Sequence, residues 1–257
     1  MHARGEAAAS LDVAALWVAA WALLRARGAG LLAGVAVPGG AFVAVWVAAG
    51  RMDLVGAPGA ALFLALLQLL VFCLFAVSGL RVLLLGPGAV PRFGIATWSA
   101  REGRFLGWLL LVYLAWVSSA MALTVTAALV LSGPAAVSLA LVRGLFWLSL
   151  VPAGWVLARV VLVLPAAAVG DRRGLGEVWR ATRGAGWRLA AGVSVIPAVL
   201  AVLCDPLLAA GLPAWGQAGV ALAGAALVLL EFALLGAAYG FLFPSSRQSP
   251  VPLPQST

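Results

Sequence analysis

Lysine is absent from this 257-residue chain, histidine occurs only as His2, and 9% of residues carry charge. Each scarcity removes a class of chemistry. Without lysine there is no Schiff-base partner for retinal or a pyridoxal cofactor. His2 lies outside every apolar run, so a membrane haem would find no axial histidine inside a helix bundle, and no Ser–His dyad forms within a span. No His, Cys and Asp cluster has metal-ligand spacing, and no glycine-rich nucleotide loop follows a strand. The expectation is a protein with no cofactor and no enzymatic activity. The two cysteines, Cys73 and Cys204, fall inside apolar runs and read as small core residues rather than a disulfide.

What is abundant is apolar: 65% of the residues are hydrophobic, with a mean hydropathy of +1.13. A soluble domain is about half apolar and about a quarter charged, so this chain cannot cover a water-facing surface and needs lipid around it. The net charge of +8 does not point to nucleic acid, because all 16 basic residues are arginines and they gather at the ends of apolar runs. That placement suits anionic head groups of a cytoplasmic leaflet. Arginine without lysine, beside much Ala, Gly and Val, is the composition of a GC-rich bacterial genome. The first ten residues carry Arg4 and Glu6 and lead into no compact apolar stretch with a small-residue cleavage site, so no cleaved signal peptide is expected.

The pattern predicts an all-α, polytopic integral membrane protein: one domain over residues 1–243 with six transmembrane helices and two cytoplasmic interfacial helices. The first interfacial helix, residues 11–27, is capped by Ser10 and places Trp17 and Trp21 on one face. Its uncharged core, residues 13–24, covers roughly 18 Å at about 1.5 Å per residue, too little for a hydrocarbon layer of about 30 Å. A seventh span starting near Ala7 would bury Asp12. The six spans are expected at about 29–49, 57–80, 105–131, 135–165, 189–210 and 217–243. Kinks are expected at Pro38–Gly40, Pro152 and Pro165. Leu175, Val178, Trp179 and Thr182 share one helical face, which predicts the second interfacial helix at residues 171–186. The tail, residues 244–257, is rich in Pro, Ser and Gln and is expected to be disordered or laid on a partner. With both termini inside, only Arg51 and Arg143 fall on the far side, and the other 14 arginines are cytoplasmic. The expected location is therefore a bacterial inner membrane.

One segment carries more than composition. Arg159 opens an apolar stretch that ends in Pro165-Ala166; a short amphipathic helix with Gly176, Glu177 and Trp179 follows; then Thr182-Arg183-Gly184 and Trp187-Arg188-Leu189 open the next span. Arg81 to Gly86 and Arg101-Glu102-Gly103-Arg104-Phe105-Leu106 add a loop pattern. Together these resemble the central signature of a superfamily of six-helix bacterial membrane proteins. It includes YciC-like proteins, the membrane domain that accompanies some glycerophosphodiester phosphodiesterases, and an uncharacterised proteobacterial branch. The resemblance spans most of the chain and implies a fold and an envelope location. It implies no catalytic activity, since no phosphodiesterase domain is present.

Charges at membrane depth are the candidates for function, because each costs about 2.5–3.5 kcal/mol to insert. They are Arg143, Arg159, Asp205 and Glu231. Depth suggests an Arg143–Asp205 pair, with Arg159 or Arg81 as partner for Glu231. The cytoplasmic rim, with Arg172, Arg173, Trp179, Arg180, Arg183, Trp187 and Arg188, is the candidate surface for lipid head groups or a membrane-protein partner. The leading expectation is a non-catalytic accessory or assembly subunit of a larger inner-membrane complex, respiratory or photosynthetic. Its rivals are a small proton- or ion-coupled transporter or channel using Glu231 and Asp205, and a lipid or envelope homeostasis factor.

Overall fold

The computed structural model describes residues 12–49, 58–91, 98–132, 139–195 and 212–244. Among them all regular structure is helical, as lipid demands of a backbone that must satisfy its own hydrogen bonds. The helices are α1 (Val13–Ala49), α2 (Pro58–Leu85), α3 (Ala100–Ser132), α4 (Leu139–Val160), α5 (Val163–Val169), α6 (Leu175–Ala181), α7 (Gly186–Leu189) and α8 (Ala214–Leu242). A 3-10 turn, Pro87–Ala89, follows α2, and a π-helical turn, Ala190–Ser194, continues α7. Five segments are long and apolar enough to cross a membrane: Val13–Ala49, Gly59–Leu85, Ala100–Ala127, Val151–Val169 and Trp215–Leu242. The remaining expected span, 189–210, lies mostly outside the described residues, as do residues 1–11 and 245–257.

Helix α1 corrects the division into an interfacial helix at 11–27 and a span at 29–49: it is one continuous helix of 37 residues. No residue between Leu24 and Ala29 breaks a helix strongly, and the two arginines there find partners without bending the chain. Arg25 lies 5.3 Å from the Trp21 ring centroid. Arg27 donates to the carbonyls of Val82, at 3.1 Å, and Leu83 in the last turn of α2, where Val82 O also accepts from Gly86 N–H at 3.0 Å. At about 1.5 Å per residue α1 is roughly 55 Å long, nearly twice a hydrocarbon core. The helix also runs through Pro38, and Gly39 serves as a seat for the Phe75 ring.

Proline 165 acts as expected, at a displaced position. It has no N–H to give, and its ring crowds the carbonyl four residues back, at Val161. The chain therefore leaves α4 at Val160, makes a tight turn in which Leu164 N–H donates to Val161 O at 2.9 Å, and restarts as α5. The expected single segment 135–165 is thus two helices, while Pro152 stays inside α4. Helix α5 ends in a Schellman motif: Gly170, at φ 83°, donates to Ala167 O, and Asp171 N–H donates to Ala166 O.

Two helical groups make up the bundle. Helix α1 packs along both α2 and α8, and α3 packs along α4. Gly30 and Gly34 let α1 approach closely: a Cβ would stand 2.6 Å from Pro87 Cβ and 2.9 Å from Val82 Cγ2. The rings of Phe42, Phe72, Phe75 and Phe232 join α1, α2 and α8, with centroids 5.4–6.1 Å apart along the chain of contacts. Helix α5, buried from Val163 to Ala168, is wedged where the two groups meet.

Candidate functional site

The rim is built on Arg159, whose position near the end of α4 and 9% exposure place a guanidinium almost inside the protein. Its Nη2 donates to Trp179 O at 2.8 Å and its Nε to Thr182 Oγ1 at 3.4 Å. Its Cζ lies 3.6 Å from the centroid of the Trp179 ring and 5.1 Å from that of Trp155. The two indoles meet edge to face at 5.9 Å, and Trp187 joins Trp155 at 6.1 Å. The charge is thus held by ring faces, a backbone carbonyl and a hydroxyl, with no carboxylate paired to it among the described residues. Gly186 is required beside it, since a Cβ there would stand 2.6 Å from Trp155 Nε1 and 3.2 Å from Arg159 Cδ.

The helix expected at residues 171–186 is shorter. It is α6, Leu175–Ala181, because Thr182 turns its hydroxyl back to Val178 O at 3.0 Å and Gly184, at φ 90°, redirects the chain into α7. Val178 and Thr182 face inward, while Arg172, Trp179, Arg180, Arg183, Trp187 and Arg188 are exposed. Arg180 Nε folds onto Gly176 O at 3.1 Å. Arg173 departs from the other rim arginines. It pairs with Asp171 at 3.0 Å and lies over Phe243 at 4.2 Å, while Asp171 accepts from the Tyr239 hydroxyl at 2.7 Å. This cluster ties the end of α8 to the start of the rim. Beside it, Arg104, Trp108, Leu111, Arg172 and Arg173 line a basic groove of about 740 Å³.

The expected partners of Glu231 are engaged elsewhere. Arg159 sits in its tryptophan cage, and Arg81 donates to Ala89 O at 2.7 Å and Ala168 O at 3.4 Å. Both arginines lie near helix ends where carbonyls lack helical donors, and those carbonyls satisfy them. Glu231 instead lines an apolar cleft of about 640 Å³ between the two helical groups, together with Gln68. No hydrogen bond or ion pair to it is found among the described residues. The proposed Arg143–Asp205 pair lies outside the described residues: Asp205 falls within 196–211, and of Arg143 only the backbone, in α4, is described.

Residue reading missed one buried carboxylate. Glu102, 1% exposed, accepts from Ser99 N–H at 2.9 Å and from the Ser99 hydroxyl, and pairs with Arg101 at 3.0 Å. The signal was present as Ser99-x-x-Glu102, a capping box, and it moves the start of the third span from residue 105 to Ala100.

Comparison of the chain with protein families, with curated proteins and with solved structures finds no match.

Proposed function

We propose that this is a non-catalytic multi-pass protein of a bacterial inner membrane, with both termini cytoplasmic, serving as an accessory or assembly subunit of a larger membrane complex, respiratory or photosynthetic. The observation that carries the reading is the pinned rim. Arg159 fixes α6 to the end of α4, so that Arg172, Arg180 and Arg183, with Trp187, are displayed outward on a segment whose own core is buried. A pre-ordered basic and aromatic surface loses little entropy on docking and suits an acidic cytoplasmic face among anionic head groups. The order of elements from Arg159 to Leu189 supports placing the chain in the six-helix superfamily it resembles, whose members belong to the envelope.

Purification from native membranes in mild detergent tests this. Co-migration with a larger complex is expected, and the triple substitution Arg172→Glu, Arg180→Glu, Arg183→Glu should abolish it while leaving the unfolding midpoint of the isolated protein unchanged. A lone monomer in every mild detergent would remove the reading. Glu231, lining the cleft with no counter-charge among the described residues, favours the transporter as the second reading. Its check is proteoliposome flux that disappears in Glu231→Gln.

A further inference from the structure

The cleft between the helical groups contains two polar groups in an otherwise apolar wall. Gln68 comes from α2 and Glu231 from α8, and the surroundings are rings and aliphatic side chains such as Phe72, Tyr113, Trp116 and Phe232. The Oε1 atom of Gln68 is buried and has no hydrogen-bond partner. The Glu231 carboxyl has none among the described residues either. A buried acceptor left unpaired is unfavourable, because it has given up its water partners for none. Gln68 Oε1 is one such acceptor, and the half-buried Glu231 carboxyl on the same wall has no donor among the described residues.

Size and access point the same way. The cleft, about 640 Å³, falls within the range of small-molecule sites, about 300–1,000 Å³. Its wall on α3 extends from Phe105 to Trp116, roughly 16 Å at about 1.5 Å per residue, the scale of a lipid chain. Leu66, Leu110 and Tyr113 on its rim are exposed, and all three belong to spans, so the mouth opens sideways toward hydrocarbon rather than toward water. A hydrated ion or a sugar has no such route. A molecule already dissolved in the bilayer does.

We propose that this cleft binds one single-chain, lipid-like molecule whose head offers an N–H or O–H donor, amine or hydroxyl, to the Glu231 carboxyl beside the Gln68 amide. The acyl or alkyl body lies along Phe72, Trp116 and Phe232. Donors decide among heads: a carboxylate, a phosphate or an ester offers the Glu231 carboxyl only further acceptors. This site is independent of the rim and of any docking partner.

The test uses the full chain in nanodiscs, reading the thermal unfolding midpoint and Trp fluorescence against dodecylamine, dodecanol, methyl dodecanoate and dodecanoate. Dodecylamine and dodecanol should give saturable stabilisation, and the ester and the acid should give none. Glu231→Gln keeps an acceptor but removes the charge, so it should weaken dodecylamine by about tenfold or more and dodecanol much less. Gln68→Leu, which leaves Glu231 in place, should weaken both. Equal stabilisation by methyl dodecanoate would mean apolar partitioning only and would overturn the assignment. So would no saturable response to any probe, or an unchanged dodecylamine response in Glu231→Gln.

Discussion

Arg159 shows how a charge is accommodated near a bundle without an opposite charge. Its guanidinium has two indole faces, a carbonyl and a hydroxyl, which together replace part of a hydration shell. Arginine suits this because its planar fork stacks and donates at once, whereas lysine does not stack in this way. Arg159→Met should therefore lower stability by about 2 kcal/mol, the size of a lost charge-assisted bond with its stacking. It should also release α6. Limited trypsin digestion checks the second effect: cleavage after Arg180 and Arg183 should accelerate several-fold in Arg159→Met, and Arg159→Lys should fall between it and the parent chain. Unchanged cleavage would mean that α6 is held by Val178 and Leu189 burial alone.

At the scale of elements, boundaries are set by local polar devices rather than by where hydrophobicity fades. Helix α3 begins five residues before the apolar run because Ser99 and Glu102 satisfy the free N–H groups and one another. Helix α2 continues four residues past Arg81 because that side chain reaches Ala89 O, and Gly86, at φ 102°, then stops it. Helix α1 passes through two arginines for the same kind of reason. Glu102→Ala should cost about 1 kcal/mol and let the first turn of α3 fray, seen as faster amide hydrogen exchange over residues 101–104. Glu102→Gln retains the bond to Ser99 N–H and should protect those amides better than alanine does. If both variants exchange alike, the Arg101 pair rather than the capping box sets the helix start.

For the whole molecule, the arrangement of spans has a direct check. The arginine asymmetry predicts that the α6 segment faces the cytoplasm and that Trp215, 79% exposed at the start of α8, lies on the opposite side. In a background with Cys73 and Cys204 replaced by Ala, Arg183→Cys should react with a membrane-impermeant maleimide only after the cytoplasmic face is opened. Trp215→Cys should react in intact cells. Labelling of both from one side would mean that residues 189–210 do not cross, leaving an odd number of spans.

Helical class and the approximate positions of five helices long and apolar enough to cross a membrane follow from the sequence alone, because both depend on a summed quantity, about 20 apolar residues against a layer about 30 Å thick. That Trp179 and Trp187 belong to one rim was also legible, since they lie within one stretch of the chain; that Arg159 joins them was not. Partnership across the bundle was not. Depth counting offered Arg159 and Arg81 to Glu231, yet both arginines found nearer oxygen atoms at helix ends, and depth is silent on which face of a helix a residue occupies. The cleft depends on how α3 and α4 stand apart from α1, α2 and α8, with α5 between them. That is decided by packing: Gly30 and Gly34 drawing α1 onto α2, and Pro165 turning α4 into α5. Only the tertiary structure could bring Gln68 and Glu231, 163 positions apart in the sequence, to the same apolar wall.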